Sequence, residues 1–127
     1  MQTNVLLSIK PQFADLIFEG KKLFEFRRKI FSRQDVSKII VYASLPRQLV
    51  IGEFEIETII EASIPRLWAR TKHKSGISKD YFDTYFAGLE KGYAIKVGKT
   101  TIYTHPVSLQ ETFNIKHPPQ SFIYIYC

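Results

Sequence analysis

Three charged side chains near the start of the chain have the types and spacing of a small reactive or anion-binding site. Lys22, Glu25 and Arg27 follow Gly20 at offsets of two, five and seven residues. In an extended segment alternate residues face the same side, so Glu25 and Arg27 would share one face, with Lys22 at its entrance. Such a group could hold an anion or a base edge. The plain alternative is an exposed strand face with ion pairs that contribute less than about 1 kcal/mol each.

The overall charge favours a polyanionic partner, nucleic acid first. The 127 residues carry 18 Lys and Arg against 12 Asp and Glu, a net charge of +6. The basic side chains concentrate in two groups: Arg27, Arg28, Lys29 and Arg33, and then Arg66, Arg70, Lys72, Lys74 and Lys79. If the fold joins the two groups, they form one positive face. If it does not, they are separate solvated loops.

Two further features have both a functional and a purely structural interpretation. Trp68 lies between Arg66 and Arg70. If exposed, its ring would stack on the splayed bases of single-stranded RNA, and if buried it would anchor a short helix. Three alternating carboxylates could supply a general base, although such a pattern is typical of a solvated strand face. They are Glu53, Glu55 and Glu57.

Other chemistries lack their sequence signals. The three histidines have no metal-ligand spacing and Cys127 is the single cysteine, so we predict no metal site and no internal disulfide. The absence of phosphate-binding glycine motifs predicts no cofactor. The absence of a G-x-S-x-G elbow argues against a serine hydrolase. There is no run of 18 apolar residues, which predicts no membrane span. The single cysteine favours a reducing compartment, the cytoplasm.

The elements that must position these residues predict one α+β domain over residues 1–127. Strands are predicted at 4–10, 23–28, 38–43, 50–60, 92–97, 101–107 and 122–126. Gly98-Lys99 predicts a hairpin turn. Helices are predicted at 11–19, at 63–70 and after Ser78, the last with a core stripe of Tyr81, Phe82, Tyr85 and Phe86. This pattern fits a small, partly closed mixed β-barrel of about six or seven strands with two or three short helices.

The segment GKKLFEFR, placed after an apolar strand and a short helix, resembles the G-x-K-x-x-E-x-R signature of the ASCH family. The likeness extends over most of the chain, through LLSIKPQFADLIFEG, YASLPRQLVIGEFEIE, GIS, GYAIKV and PPQSFIY. These longer stretches resemble a subgroup described as PUA-like predicted transcriptional regulators. The resemblance implies a PUA-like β-barrel in which Lys22, Glu25 and Arg27 line a cleft that takes RNA.

The resemblance also implies an enzymatic alternative. Some small family members are amidohydrolases that remove an acyl group from a modified cytidine, with the motif lysine, a threonine inside the motif and a glutamate from a later strand. The motif lysine corresponds to Lys22, but the threonine position is Glu25 here. The later glutamate is left open among the three carboxylates of residues 53–57. Other members are described as ribonucleases.

The sequence therefore predicts an RNA-binding module, regulatory in transcription or in RNA metabolism. Its contact residues are Lys22, Arg27, Arg28 and Lys29, organised by Glu25, with a surface extended by Arg66, Trp68, Arg70 and Lys72. The alternative is a hydrolase acting on a modified nucleoside or on RNA, with Lys22 and Glu25 as its catalytic residues. A third interpretation is a regulator that binds a modified base or an effector in a closed pocket.

Overall fold

The computed structural model describes residues 2–126, so Cys127 and the prediction that depends on it lie outside the described residues. The strands are β1 (Thr3–Ile9), β2 (Phe24–Arg27), β3 (Val36–Ala43), β4 (Leu49–Ser63), β5 (Lys91–Val107) and β6 (Phe122–Tyr126). The helices are α1 (Pro11–Phe18), α2 (Ile64–Thr71), α3 (Lys79–Tyr85) and α4 (Leu109–Phe113), with a 3-10 turn at Lys72–Lys74. The predicted α+β class is confirmed.

The strands form one sheet in the order β2-β5-β4-β3-β1-β6. β1 and β3 run parallel, and the other neighbouring strands are antiparallel. Within the described residues β2 and β6 remain edge strands, so the barrel is not closed. Three strands separate β1 from β2 in this order, yet residues of both line the same pocket. The sheet therefore curls back far enough for its edges to face each other across a gap.

The hairpin turn predicted at Gly98-Lys99 is wrong, because β5 runs unbroken through both residues. Gly98 lies where the register between β4 and β5 shifts. A Cβ at this position would lie 2.9 Å from the Glu55 carbonyl oxygen. The glycine thus permits a close approach of two backbones at an irregularity, which is the other common use of glycine in a strand. The helix α4, whose N-cap is Ser108, was not predicted from the sequence.

Two apolar clusters fix the strands that carry the site. The first lies between α1 and the sheet and includes Val5, Leu7, Ile39 and Val41. The second packs α2 and α3 on β2 and β5 and includes Phe24, Phe26, Leu67, Phe82 and Phe86. Each fully buried side chain of this size contributes about 2 kcal/mol. In β2 the two phenylalanines join the second cluster, while Glu25 and Arg27 line the pocket.

We expect Gly52→Ala to destabilise the protein by about 1–3 kcal/mol, because a well-packed position must take an extra carbon. A Cβ there would lie 2.6 Å from the Thr101 carbonyl oxygen and 2.7 Å from Phe18 Cζ, where α1 packs on β4. Urea unfolding measures the change. Ser37→Ala, at an exposed position of β3, is the control and should change stability by less than about 0.5 kcal/mol. Equal midpoints for the two variants would contradict this packing.

Candidate active site

A pocket of about 150 Å³ lies where the end of β1 meets β2 and α3. Its charged walls are Lys10, Lys22, Glu25 and Arg27, its aromatic walls are Phe13, Phe26, Tyr81 and Tyr85, and Ser8, Ile9 and Ile77 complete it. The structure thus brings together the three residues of the sequence motif, Lys22, Glu25 and Arg27. The pocket lies between the edge strand β2 and the end of β1, which extends past its pairing with β6.

Lys22 is the unusual residue of this pocket, since its side chain is almost entirely buried, with 1% of the residue exposed. Its Nζ donates a hydrogen bond of 2.6 Å to the carbonyl oxygen of Ser75. The same nitrogen lies 4.9 Å from the ring centroid of Phe26 and 5.3 Å from that of Phe13. Burial lowers the pKa of Lys22 to about 8, and the charge of Glu25 limits the fall. At that pKa roughly a tenth of the lysine is neutral amine at pH 7.

Glu25 is the buried counter-ion of this lysine, with 7% of the residue exposed. Burial raises the pKa of Glu25, while Lys22 and Arg27 act in the opposite direction. One carboxylate oxygen, Oε2, lies 3.5 Å from Nη1 of Arg27. The carboxylate can therefore stabilise a positive charge on either neighbour, and it contacts Arg27 directly.

Arg27 also ties the two edges of the sheet together. Its Nη2 donates a hydrogen bond of 2.9 Å to the carbonyl oxygen of Ser121, the residue before β6. Nearby, the hydroxyl of Ser8 donates to the carbonyl oxygen of Pro119 at 3.0 Å. Side chains from β1 and β2 thus hold the segment that leads into β6 against the pocket.

The other eight lining residues were not predicted from the sequence, and Lys10, Tyr81 and Tyr85 are the polar ones with a functional interest. Lys10 is exposed, and its ammonium lies 5.3 Å from the ring centroid of Tyr81. Tyr81 and Tyr85 were predicted to be core, but both line the pocket, and only Phe82 and Phe86 of that stripe are buried. The residue types did distinguish these positions, because a tyrosine in an apolar helix stripe favours the side where its hydroxyl can reach water or a polar partner. The Tyr85 hydroxyl donates to the Phe26 carbonyl at 3.1 Å.

The remaining predicted contact residues lie outside the pocket. Arg28 packs its guanidinium 4.3 Å from the ring centroid of Tyr85 and donates to the Tyr85 carbonyl at 2.7 Å. Lys29 is exposed. In the second group Arg66, Arg70 and Lys72 are exposed on α2 and the turn after it. Trp68 is half-buried, its ring 4.9 Å from that of Phe82, so it packs against the second apolar cluster.

The three carboxylates of β4 also lie outside the lining of the pocket. Glu53 pairs with Lys38 at 3.0 Å and accepts a hydrogen bond of 2.9 Å from the Tyr103 hydroxyl. Glu55 is exposed, and Glu57 pairs with Lys96 at 2.7 Å. A general base that lines this pocket therefore does not come from β4, and Lys22 and Glu25 are the predicted catalytic residues that do line it.

The described part of the chain lacks two other classes of feature. In residues 2–126 no three side chains of the His, Cys, Asp and Glu types are grouped as a metal site would need. Within the same range the helices are too short and too polar to cross a membrane.

Comparison with known proteins finds the same domain elsewhere. The sequence profile of the ASCH domain matches residues 7–107. An ASCH domain-containing ribonuclease of Zymomonas mobilis is 32% identical over 125 residues, which covers 96% of this chain and 84% of that protein. The crystal structure of ASCH from Zymomonas mobilis aligns with a TM-score of 0.87 at 30% identity, covering 97% of this chain and 87% of that one.

A further relative is much longer than this chain. The large ribosomal subunit protein uL22 of Ureaplasma parvum serovar 3 is 28% identical over 122 residues, which covers 96% of this chain but only 39% of that protein. The chain therefore spans about two-fifths of the length of that relative. These comparisons do not support the subgroup of predicted transcriptional regulators.

We expect Lys22→Met to remove a distinctive pH dependence of stability. The folded-state pKa of Lys22, about 8, lies below its ordinary value of 10.5. Between these values the unfolded chain binds more protons, so the contribution of Lys22 to stability rises with pH. From pH 7 to 9.5 the rise should be about 2 kcal/mol. Urea unfolding at both pH values should show it in the wild type and not in Lys22→Met.

The neighbouring lysine supplies the control for this experiment. Lys21 is exposed and pairs with Glu19 at 3.3 Å. Lys21→Met should keep the full pH dependence of the wild type. If Lys22→Met also kept it, Lys22 would have an ordinary pKa and the site would lose its main electrostatic feature.

Proposed function

The chain belongs to the ASCH domain family, and from this premise we propose that it is a ribonuclease-type hydrolase that uses Lys22, Glu25 and Arg27. The burial of Lys22 carries the proposal. An exposed lysine or arginine binds phosphate at a lower desolvation cost than a buried one. Phosphate binding alone therefore does not explain a lysine that is buried among aromatic rings. A lysine with a lowered pKa beside a carboxylate is suited to proton transfer near neutral pH.

The proposed reaction is cleavage of RNA by its own 2′-hydroxyl group. The neutral amine of Lys22 takes the 2′-hydroxyl proton, and Glu25 stabilises the resulting ammonium, as a carboxylate does beside a catalytic base. The 2′-oxygen bonds to phosphorus while the bond from phosphorus to the 5′-oxygen breaks. The departing 5′-oxygen lies on the far side of the phosphorus and takes its proton from water, and Lys22 then releases its own proton to solvent. The products of this transesterification are a 2′,3′-cyclic phosphate and a 5′-hydroxyl, and hydrolysis of the cyclic phosphate would be a second step.

The other lining residues supply charge and a surface for the nucleotide. Three basic side chains, Lys10, Lys22 and Arg27, and one carboxylate, Glu25, line the pocket. Arg27 and Lys10 would neutralise the phosphate as charge builds on its oxygens. The ring of Tyr81 would pack against a base of an unpaired strand. Zymomonas mobilis contains a relative named a ribonuclease, which supports RNA as the substrate class.

RNA binding outside the pocket remains part of the proposal. The exposed Arg28, Lys29, Arg66, Arg70 and Lys72 would contact flanking phosphates, as the sequence analysis predicted. The packing of Trp68 on Phe82 favours an anchoring role for that ring over base stacking. The domain is proposed to comprise residues 1–127 and to act in the cytoplasm, where RNA is available.

The small volume of the pocket favours a second candidate, hydrolysis of an acylated nucleoside. A space of about 150 Å³ suits one base-sized group better than several nucleotides. Lys22 and Glu25 would then serve amide hydrolysis, although Glu25 replaces the hydroxyl residue of the amidohydrolase pattern. Parallel incubation with acylated cytidine and with RNA decides between the two reactions.

We expect the protein to cleave a single-stranded RNA oligonucleotide and to leave the matching DNA intact, because DNA lacks the 2′-hydroxyl. Mass spectrometry should find 2′,3′-cyclic phosphate ends. Lys22→Met should lower the rate on the order of 100-fold or more, the usual range for loss of a general base, whereas Lys21→Met should not. Cleavage by Lys22→Met at the rate of the wild type would refute the reaction. If the protein bound RNA in a salt-dependent way and did not cleave it, it would instead be an RNA-binding module.

The rate should also follow the protonation of Lys22. It should rise about tenfold per pH unit below the pKa of about 8 and level off above it, because only the neutral amine accepts the proton. Glu25→Gln should move this midpoint to lower pH, since the charge of Glu25 raises the lysine pKa. A midpoint that is unaltered by Glu25→Gln would argue against coupling of the two groups.

Binding affinity should fall as salt rises, because each phosphate contact releases a counterion. We expect Lys10→Met to reduce the slope of log affinity against log salt by about 1. Lys99→Met, at an exposed position on β5, is the control and should leave the slope unchanged. Arg66→Met tests the second basic group in the same assay. Fluorescence anisotropy with a labelled RNA gives all three slopes.

A further inference from the structure

The segment Ser75-Gly76-Ile77 forms the wall behind Lys22. The Ser75 carbonyl oxygen accepts the hydrogen bond from Lys22 Nζ. The Ser75 hydroxyl is turned back on its own segment, where it donates to the Ile77 carbonyl at 2.8 Å and accepts from the Ile77 amide at 3.3 Å. Just before it, the Lys74 carbonyl accepts a hydrogen bond of 2.9 Å from the amide of Leu23, the residue after Lys22. The segment is thus tied to the motif at the lysine and at the residue that follows it.

Gly76 is required at this wall for two independent reasons. Its φ is +70°, in the left-handed region that a side chain disfavours. A Cβ at this position would also lie 2.5 Å from Cγ and 2.6 Å from Cβ of Lys22. The stem of Lys22 therefore fills the space that a side chain at residue 76 would occupy. No other glycine of the described chain would place a Cβ against a residue of the sequence motif.

We propose that Gly76, together with the Ser75 carbonyl, is a positioning element that fixes the Lys22 amine in the orientation needed for the proposed reaction. A carbonyl oxygen accepts a hydrogen bond from an ammonium and from a neutral amine alike. The hold on Lys22 therefore persists when its proton is transferred. One N–H is committed to Ser75, so the position of Nζ is fixed at the wall of the pocket that Lys22 lines. The catalytic role in this inference rests on the proposed function, whereas the placement of the Lys22 amine rests on the contacts of Gly76 and Ser75.

The test compares Gly76→Ala with Gly88→Ala. Gly88 has a φ of +83°, so both variants put a side chain in the left-handed region, but a Cβ at residue 88 meets no atom within 4 Å. We expect Gly76→Ala to lower kcat on the order of 100-fold, as a small displacement of a reacting group does, with KM for RNA little changed. Gly88→Ala should keep the kcat of the wild type.

A second readout does not depend on activity. NMR of protein labelled at lysine Cε follows the titration of Lys22, which should have its midpoint near pH 8 in the wild type and in Gly88→Ala. In Gly76→Ala the displaced amine should gain water, so the midpoint should move toward 10.5. An unchanged midpoint together with an unchanged kcat would overturn the inference.

The two proposals fail in distinguishable ways. If the wild type cleaves no RNA, the proposed function fails, and the titration alone decides whether Gly76 positions the lysine. If Gly76→Ala does not fold, Ser75→Ala replaces it, because that change keeps the carbonyl and removes only the hydroxyl that fixes its direction. A shifted Lys22 titration in Ser75→Ala supports the inference, and an unshifted one refutes it.

Discussion

Keeping the Lys22 ammonium away from water is the constraint that organises this molecule. A buried cation is tolerated only where its charge is balanced and its protons are bonded. Here Glu25 supplies the charge, the Ser75 carbonyl accepts one proton, and the faces of Phe13 and Phe26 supply weaker electrostatic attraction. These partners come from α1, β2 and the segment before α3. The packing of three separate elements is therefore needed to hold one side chain.

The unclosed sheet gives this arrangement its location. β2 and β6 are edge strands in the described chain, and a hydrogen bond from Arg27 to the Ser121 carbonyl joins them in place of a backbone ladder. In a closed barrel, paired strands would occupy this gap. β2 therefore has one edge that is not paired with another strand of the described chain. Phe24 and Phe26 of the same strand are buried in the second apolar cluster, which holds the strand in place.

Local sequence patterns predicted the parts of the structure that depend on local forces. The strand at residues 122–126 and the alternation of Phe24 and Phe26 with Glu25 and Arg27 follow from side-chain periodicity alone. Gly98 was misread because a glycine signals a turn and a close backbone approach equally well. The pocket roles of Lys10 and Tyr81 arise from the way distant segments meet. The burial of Lys22 could not be predicted either, because its neighbours in sequence do not show that residues 75–77 cover its aliphatic stem.

The pairing of β1 with β6 has a consequence for how this domain can be combined with other sequences. Thr3 lies opposite Tyr126, so the beginning and the end of the described chain leave the sheet side by side. A domain with adjacent termini can be spliced into a loop of a host polypeptide while barely separating the flanking segments. The same adjacency would allow a short linker to join the two ends and the chain to be reopened elsewhere, as in a circular permutant.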